Sequence, residues 1–524
     1  MITYSNLRTR RALGSFGRAG QGSKQILKKV QPSRFEEYCQ SLTNEKRLLL
    51  DAFFLRASDR LALDSVSNRL MLRDFQEAVL WYSGRGTTLE TALNLLDPVH
   101  LGGYYARPAL LWYPLDDAAK IYPLSMKHNS MAVFRVSICL KEAVVPALLQ
   151  MALTFTIKRF PSFATTLKQG FFWHYLDAAK RRFVVEPELD LPCQPLDVSG
   201  SGSQSFRVLY FEKRISVEFF HVLADGTGAM IFLNTLAAEY LRLLGVSVPA
   251  GGGIKDVDAS PPEEETENGF INAQSEERAS GFVNKSAVQM SGRLSVAKPC
   301  RILHFHMDAE RLKETAKSKN ASVTAYILAL MFLAQKDATD GQAGDVAVQI
   351  PVNMRKFYPS GTLRNFSLYC GVRLPLRSIT TLDAILPEIA RQLETKASES
   401  AMKEMMSAIK QLARSLRFVP LFIKKPAARI IYGFLGDRIF SSTLSNIGVI
   451  RLPDEMTPYV DHYEIVLARS SRNRASCALA TYQNTTTLSI GKFTADPSFE
   501  ETLYRLLAAE GLEAVVEGSA LYER

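Results

Sequence analysis

The sequence lacks the features that would assign it to a membrane-spanning, disulfide-rich or zinc-finger class. None of its six cysteines forms a C-x-x-C pair, which argues against a zinc ribbon or a disulfide framework and favours reduced thiols in a cytosolic protein. No stretch has the roughly 18 consecutive apolar residues that a membrane span requires. The first residues also lack the apolar segment of a secretory signal. These absences predict a cytoplasmic protein without a transmembrane segment.

Composition, charge and length indicate the class of protein and the number of domains. The chain has 524 residues, 47% of them hydrophobic and 22% charged, which is ordinary for a globular enzyme. The formal net charge of +10 is modest for this length, so it favours anionic partners such as phosphorylated cofactors and gives no indication of nucleic acid. The length allows two or three domains.

Five segments differ in composition and periodicity. Residues 1–34 are basic and have no acidic residue, which fits a transit peptide or, as we favour, a disordered tail. Residues 35–110 have helical spacing and predict a small helical extension. Residues 111–245 indicate a first α/β unit and 300–524 a second one. Between them, 246–299 is polar and rich in Gly and Pro, which predicts a flexible linker.

A histidine and an aspartate occur where a strand pattern becomes a helix pattern. Residues 206–219 contain two apolar, β-rich runs joined by a polar turn, a pattern that predicts a hairpin. Residues 230–244 have apolar side chains at helical spacing. His221 is therefore expected at a strand end, and Asp225 in the turn that begins the helix.

Three segments carry a resemblance to a known family. The sequence H-V-L-A-D-G at 221–226 resembles the H-x-x-x-D-G motif of the chloramphenicol-acetyltransferase-like superfamily, which includes alcohol acetyltransferases, polyketide-associated acyltransferases and condensation domains. Residues 351–355, with L-R-N-F at 363–366 after them, are similar to a strand and the following loop of the family's second lobe, and 442–448 to its late S-N-x-G segment. The resemblance covers about 110–515 and is closest to the alcohol-acetyltransferase-like branch. Phe220 stands where many condensation domains have a second histidine, and the D-F-G-W-G motif of plant acyltransferases is absent.

The resemblance implies a fold and roles for several residues. The fold would be α/β with two lobes, each a mixed-sheet subdomain, an active site in a tunnel between them, and the helical N-terminal extension. His221 would be a general base acting without a covalent acyl-enzyme. Asp225 would pair with an arginine and brace the turn, with Arg355 and Arg159 as the two candidates. Gly226 and Gly228 would let the backbone turn sharply and approach the tunnel.

Contacts to the substrate, the oxyanion or coenzyme A are assigned to Arg355, Ser445 and Asn446. Acyl-CoA would be a co-substrate of a monomeric enzyme with no bound cofactor. A set of basic residues between 403 and 429 fits contacts to coenzyme A phosphates, a solvated helix face, which we favour, or peripheral membrane contact: Lys403, Lys410, Arg414, Arg417, Lys424, Lys425 and Arg429.

The sequence predicts no metal site. His304 and His306 share one face of a strand, as two metal ligands would. No third ligand with suitable spacing is visible, so we interpret both as ordinary strand residues.

The predicted activity is transfer of an acyl group from acyl-CoA to an alcohol hydroxyl. A neutral histidine suits this reaction because its ordinary pKa of about 6.5 leaves it unprotonated and still basic near neutrality. Two alternatives stay open: N-acylation or condensation with a donor bound to a carrier protein, and a non-catalytic binding module with an acyltransferase-like fold.

Overall fold

The computed structural model describes residues 32–106, 111–120, 122–125, 131–178, 180–198, 204–271, 285–297, 299–426, 439–467 and 474–519. Residues 1–31 of the predicted basic tail and Arg429 lie outside these ranges.

The helices alternate with strands after an all-helical start. In chain order they are α1 (Arg34–Ser41), α2 (Asn44–Asp59), α3 (Ser65–Gly84), α4 (Leu89–Leu95), α5 (Tyr122–Ser125), α6 (Pro146–Thr156), α7 (Gly226–Leu243), α8 (Ala309–Ser318), α9 (Val323–Asp337), α10 (Leu382–Lys396), α11 (Glu399–Ser415) and α12 (Ser498–Ala509).

The strands belong to three sheets. They are β1 (Trp112–Pro114), β2 (Val133–Leu140), β3 (Thr165–Gln169), β4 (His174–Ala178), β5 (Val185–Pro187), β6 (Phe206–Phe211), β7 (Arg214–Phe220), β8 (Arg301–Asp308), β9 (Asp345–Asn353), β10 (Ser367–Pro375), β11 (Ser442–Ile450), β12 (Val460–Val466), β13 (Ala475–Tyr482), β14 (Thr485–Lys492) and β15 (Val515–Gly518).

The first lobe is built on a five-stranded mixed sheet with the order β12-β2-β7-β6-β5. The predicted hairpin is confirmed as β6 and β7, which pair antiparallel. Helices α6 and α7 pack against each other, and α7 also packs on β2 and β7. The edge strand β12 comes from residues 460–466, within the range predicted as the second lobe, and pairs with β2. A small three-stranded sheet, β1-β4-β3, accompanies this lobe.

The second lobe has a seven-stranded mixed sheet with the order β10-β9-β11-β13-β14-β8-β15. Its strands pair antiparallel except for β11, which is parallel to both β9 and β13. Helix α9 is almost wholly buried and packs against α10 and α12. Asp308 and Ser322 cap α8 and α9, because their side-chain oxygens accept backbone N–H groups that the first helical turn leaves unpaired.

The N-terminal helices share the hydrophobic core of the first lobe. Phe53 and Phe75 are fully buried in that core. The Phe75 ring lies 6.1 Å from the ring of Phe155 in α6, and the Tyr82 hydroxyl donates a hydrogen bond to the Leu243 carbonyl at the end of α7. Helices α1–α4 therefore stabilise the helix layer of the first lobe.

The described parts of 246–299 contain buried side chains and contact both lobes. Glu265 accepts hydrogen bonds from Arg159 of the first lobe at 2.5 and 3.0 Å. Phe270 is buried with its ring 4.9 Å from that of Phe366 in the second lobe. These contacts place the segment against the protein on both sides of the lobe boundary. Among the described helices, none is long and apolar enough to cross a membrane.

Candidate active site at the junction of the two lobes

His221 directly follows β7, at the edge where the first lobe meets the second. Its backbone N–H donates to the Ala132 carbonyl at 2.8 Å, which continues the pairing of β7 with β2. Its carbonyl accepts a hydrogen bond from the side-chain amide of Asn365 at 3.2 Å. Residues from both lobes therefore fix the backbone of His221.

The imidazole of His221 lies in an aromatic setting. It stacks on Tyr122 with ring centroids 5.1 Å apart and lies 4.9 Å from the ring of Phe134. The side chain is half-buried, and its Nδ1 atom is buried without a hydrogen-bond partner from another described residue. Burial lowers the pKa of His221, and the charge of Asp225 and the residue's own carbonyl offset only part of this effect. The ring is therefore neutral near pH 7, as a general base must be.

Asp225 is buried and is the N-cap of α7. Its Oδ1 atom accepts the N–H of Gly228 at 3.0 Å, the usual arrangement for an N-cap aspartate. Its Oδ2 atom accepts one hydrogen bond from Arg355 Nη1 at 2.6 Å and another from the Phe366 N–H at 2.8 Å. One carboxylate thus holds the first turn of α7 and two points of the second lobe.

Of the two arginines considered as partners of Asp225, Arg355 makes the pair. Its guanidinium also donates from Nε and Nη2 to the Thr362 carbonyl, at 3.2 and 2.7 Å, and from Nη2 to the Arg364 carbonyl at 2.9 Å. All three guanidinium nitrogens therefore contact the protein itself. Arg159 pairs with Glu265 instead.

Two glycines at the start of α7 permit close contact between the lobes. A Cβ atom on Gly228 would lie 1.9 Å from the carbonyl oxygen of Leu363, and one on Gly226 would lie 2.7 Å from Cδ1 of Ile447. Neither glycine has a positive φ. The sequence predicted that glycine allows a sharp turn and a close approach here. The structure shows the close approach of the two lobes, and neither glycine has a backbone conformation that requires glycine.

The late S-N-x-G segment lies on β11 and reaches the same turn through Ile447. Ser445 is buried in the strand. Asn446 donates through Nδ2 to the Thr324 hydroxyl at 2.8 Å and accepts the Gly448 N–H at 2.8 Å. The structure therefore brings the H-x-x-x-D-G turn, Arg355 and this segment together, while the Asn446 amide is engaged within the second lobe.

The sequence missed several residues at this junction. Tyr122 and Phe134 flank the imidazole, and Asn365 holds its backbone. Asp116 is fully buried; burial raises its pKa to about 7, although nearby Arg364 acts against this rise. Asn365 lies within the L-R-N-F segment at 363–366, part of the resemblance described above, so that match was a signal for it. Tyr122 and Asp116 gave no local signal because their neighbours are brought together only by the fold.

The basic residues of 403–425 differ in their surroundings. Lys424 is buried, with its ammonium 3.4 Å from the Trp173 ring centroid, and donates to the Phe172 carbonyl. Burial, together with the charge of Lys120, lowers the pKa of Lys424 to about 8.

Within the described residues, the groups of side chains able to hold a metal ion do not include His221.

Comparison with known proteins adds a fold assignment. No protein-family model matches the chain, and no curated protein matches it. Solved structures do. TRI3 trichothecene 15-O-acetyltransferase from Fusarium sporotrichioides is 12% identical with a TM-score of 0.50, covering 76% of this chain and 94% of its own.

Two further structures have the same TM-score of 0.50. Polyketide synthase associated protein 5 from Mycobacterium tuberculosis is 12% identical and covers 75% of this chain and 97% of its own. The first condensation domain of the calcium-dependent antibiotic synthetase is 13% identical and covers 78% of this chain and all of its own. The chain therefore has the two-lobed fold of these acetyltransferase and condensation-domain structures, and the predicted chloramphenicol-acetyltransferase-like fold is confirmed.

Proposed function

We propose that this protein is an acyltransferase that moves an acyl group from acyl-CoA to an alcohol hydroxyl, with His221 as the general base. The observation that carries the proposal is the neutral, half-buried imidazole held by both lobes at the junction. The fold supports it, because one of the structures that share the fold is named as an O-acetyltransferase.

The reaction needs one base and no covalent intermediate on the protein. His221 takes the proton of the acceptor hydroxyl as its oxygen forms a bond to the thioester carbonyl carbon. Collapse of the tetrahedral intermediate breaks the carbon–sulfur bond, and the proton passes from the imidazolium to the leaving thiolate. The products are an ester and coenzyme A. The hydroxyl of Ser445 is a proposed contact to the oxyanion or coenzyme A, and the amide of Asn446 could share in it only through the N–H that does not bond Thr324.

Asp225 and Arg355 are proposed as positioning residues in this mechanism. Their pair joins the turn after His221 to the end of β9, so it sets the position of the imidazole relative to the second lobe. The contacts of Arg355 within the protein favour this role over direct binding of substrate.

The test is release of free thiol from a panel of acyl-CoA donors mixed with alcohols or amines. His221→Ala should reduce the rate by about 10² to 10⁴, the usual contribution of a general base. His100→Ala is the control, because His100 is also half-buried but lies away from the lobe junction, where its Nδ1 bonds Asp258 at 2.9 Å. Wild-type turnover by a folded His221→Ala variant would contradict the proposal.

The same panel separates the alternatives. Turnover with amines and a carrier-bound donor, but not with alcohols and acyl-CoA, would favour condensation. Absence of turnover with every donor, together with measurable acyl-CoA binding, would favour a non-catalytic binding module.

We also propose peripheral membrane contact through a surface that we call the aromatic edge, formed by Phe171, Phe172, Phe418 and Phe422. All four are exposed, and the rings of Phe172 and Phe418 lie 6.4 Å apart. Contiguous aromatic side chains beside cations favour an anionic lipid surface. Arg417, whose guanidinium lies 4.5 Å from the Phe418 ring, supplies such a cation.

A further inference from the structure

Three histidines meet at the other end of the lobe junction, far from His221. His304 and His306 lie on β8 of the second lobe, and His462 lies on β12, the late edge strand of the first-lobe sheet. The rings of His306 and His462 are 4.6 Å apart. We call these residues, with Glu464 and Glu517, the histidine cluster. The sequence had offered only the first two.

Each histidine has its Nδ1 atom held by an oxygen. Nδ1 of His304 is 2.9 Å from the Ser489 hydroxyl, Nδ1 of His306 is 3.1 Å from the Thr487 hydroxyl, and Nδ1 of His462 is 2.9 Å from a carboxylate oxygen of Asp461. Histidines that ligate metals use one ring nitrogen for the ion and give the other to such a partner, which orients the ring. A ligand would therefore use Nε2, which in His306 has no hydrogen-bond partner among the described residues and in His462 has only a long hydrogen bond to Glu464.

Nε2 of His306 and Nε2 of His462 both face carboxylates, and the second makes a long hydrogen bond to one of them. Nε2 of His306 is buried without a hydrogen bond to any described residue and lies 3.7 Å from Glu517 Oε2. Nε2 of His462 lies 3.4 Å from Glu464 Oε1. Ligand atoms at about 2.0–2.1 Å from a tetrahedral Zn²⁺ are about 3.3 Å apart, whereas an N–H···O hydrogen bond is typically about 2.7–3.2 Å.

Two sets of three ligands share His462. His306, His462 and Glu517 can each place one ligand atom within 4.8 Å of the others, and so can Cys139, His462 and Glu464. The first set is the better one because the carboxylate of Glu464 is already bonded to Arg214 at 3.1 Å. Glu517 has a mostly exposed side chain, so its carboxylate can turn toward an ion.

The charges around the cluster favour a cation. The carboxylates are Asp461, Glu464 and Glu517, and the nearby permanent cation is Arg214 of β7, which also bonds Glu188.

We propose that Nε2 of His306, Nε2 of His462 and the carboxylate of Glu517 bind a divalent transition-metal ion of the Zn²⁺ class. Two imidazoles and one carboxylate form a known type of zinc ligand set, with a fourth position left for water. The ion would join β8 and β15 of the second sheet to β12 of the first. It takes no part in the acyl transfer, because β7 separates it from His221 by about seven residues at about 3.3 Å each, or about 23 Å.

The experiment uses the full chain, stripped of metal with a chelator and titrated with Zn²⁺ by calorimetry, with metal content measured by mass spectrometry. The proposal expects one high-affinity ion per chain and a higher melting temperature in its presence. Failure to retain one Zn²⁺ per chain after removal of the free ion would overturn it.

Variants distinguish this site from other ligands on the chain. Glu517→Gln changes an exposed side chain, so it should fold normally and weaken Zn²⁺ binding at least tenfold; His306→Asn should weaken it further. Glu513→Gln, an exposed change just before β15, and His100→Asn, a half-buried histidine bonded to an aspartate, should bind as the wild type does. Unchanged affinity in Glu517→Gln and His306→Asn would overturn the proposal.

Cobalt identifies the ligand atoms. Co²⁺ in place of Zn²⁺ should give the visible absorption of a tetrahedral ion with nitrogen and oxygen ligands. A thiolate-to-cobalt band that is lost in Cys139→Ser would overturn the proposed set in favour of Cys139, His462 and Glu464.

Discussion

Replacing Asp225 by Asn tests whether its carboxylate braces the candidate site. Asparagine keeps the shape and can still accept the Gly228 N–H with its oxygen. Its NH₂ group would then face Arg355 Nη1 and the Phe366 N–H, which are both donors. The pair is buried, with side chains 3% and 12% exposed, so Arg355 would be left with an uncompensated charge. Removing one partner of such a pair costs about 3–5 kcal/mol, and we expect the free energy of unfolding to fall by that amount.

A double-mutant cycle isolates the pair from the other hydrogen bonds. Arg355→Met removes the stranded charge, so the double variant Asp225→Asn, Arg355→Met should be more stable than the sum of the two single losses by about 1–3 kcal/mol. Urea unfolding followed by tryptophan fluorescence measures all four proteins. Losses that add within about 0.5 kcal/mol would refute the coupling.

A second buried ion pair, Arg159–Glu265, serves as a control that distinguishes loss of stability from displacement of His221. Glu265→Gln deprives Arg159 of its partner and should also destabilise the protein, but this pair contacts neither His221 nor the N-cap of α7. At a temperature where both variants are folded, Asp225→Asn should lower kcat/KM for acyl transfer and Glu265→Gln should leave it unchanged. Equal losses in the two variants would show that stability alone, and not the position of His221, explains the effect.

Three more predictions follow from the same geometry. The acidic limb of kcat/KM against pH should lie below 6.5, because the base must be neutral and its folded pKa is lowered; a limb at or above 6.5 would contradict the role of His221. Gly228→Ala should lower the melting temperature and activity together, whereas Gly84→Ala, which has open space at its Cβ position, should do neither. In flotation with vesicles containing anionic lipid, Phe418→Ser should reduce co-flotation. Leu189→Ser, which changes a still more exposed apolar side chain elsewhere, should not.

The strand-to-helix turn was predictable because its signals are local. Apolar alternation through β6 and β7 changes to helical spacing in α7 within a few residues, and Asp225 stands at that change. A side chain that accepts the unpaired N–H groups of a first helical turn is specified by its own neighbours in sequence. The position of His221 at the strand end follows from the same pattern.

The partner of Asp225 could not be chosen from sequence. Arg355 is 130 residues away, and only the docking of the end of β9 on the first turn of α7 brings it within 2.6 Å. Arg159 was excluded by Glu265, which lies in a segment whose polar composition predicted a linker. A buried glutamate looks like a solvated one in sequence, because its burial depends on a cation from elsewhere in the chain.

The histidine cluster was also only partly predictable from sequence. Two-residue spacing places His304 and His306 on one face of β8, and this was visible in the sequence. The third histidine lies on β12, which leaves the second half of the chain to complete the first sheet beside β2. No periodicity predicts that crossing.

Because β12 completes the first sheet, the two lobes are joined at both ends of β7, at the candidate active site and at the histidine cluster. At the His221 end, the lobes are joined by the Asp225–Arg355 pair, the Asn365 hydrogen bond and the contact of Gly228 with Leu363. At the other end of β7, β12 and the histidine cluster join the same two sheets. Because the imidazole is held partly by the second lobe, its position depends on how the lobes dock at the His221 end. Stability of the junction and competence of the site therefore depend on the same interface.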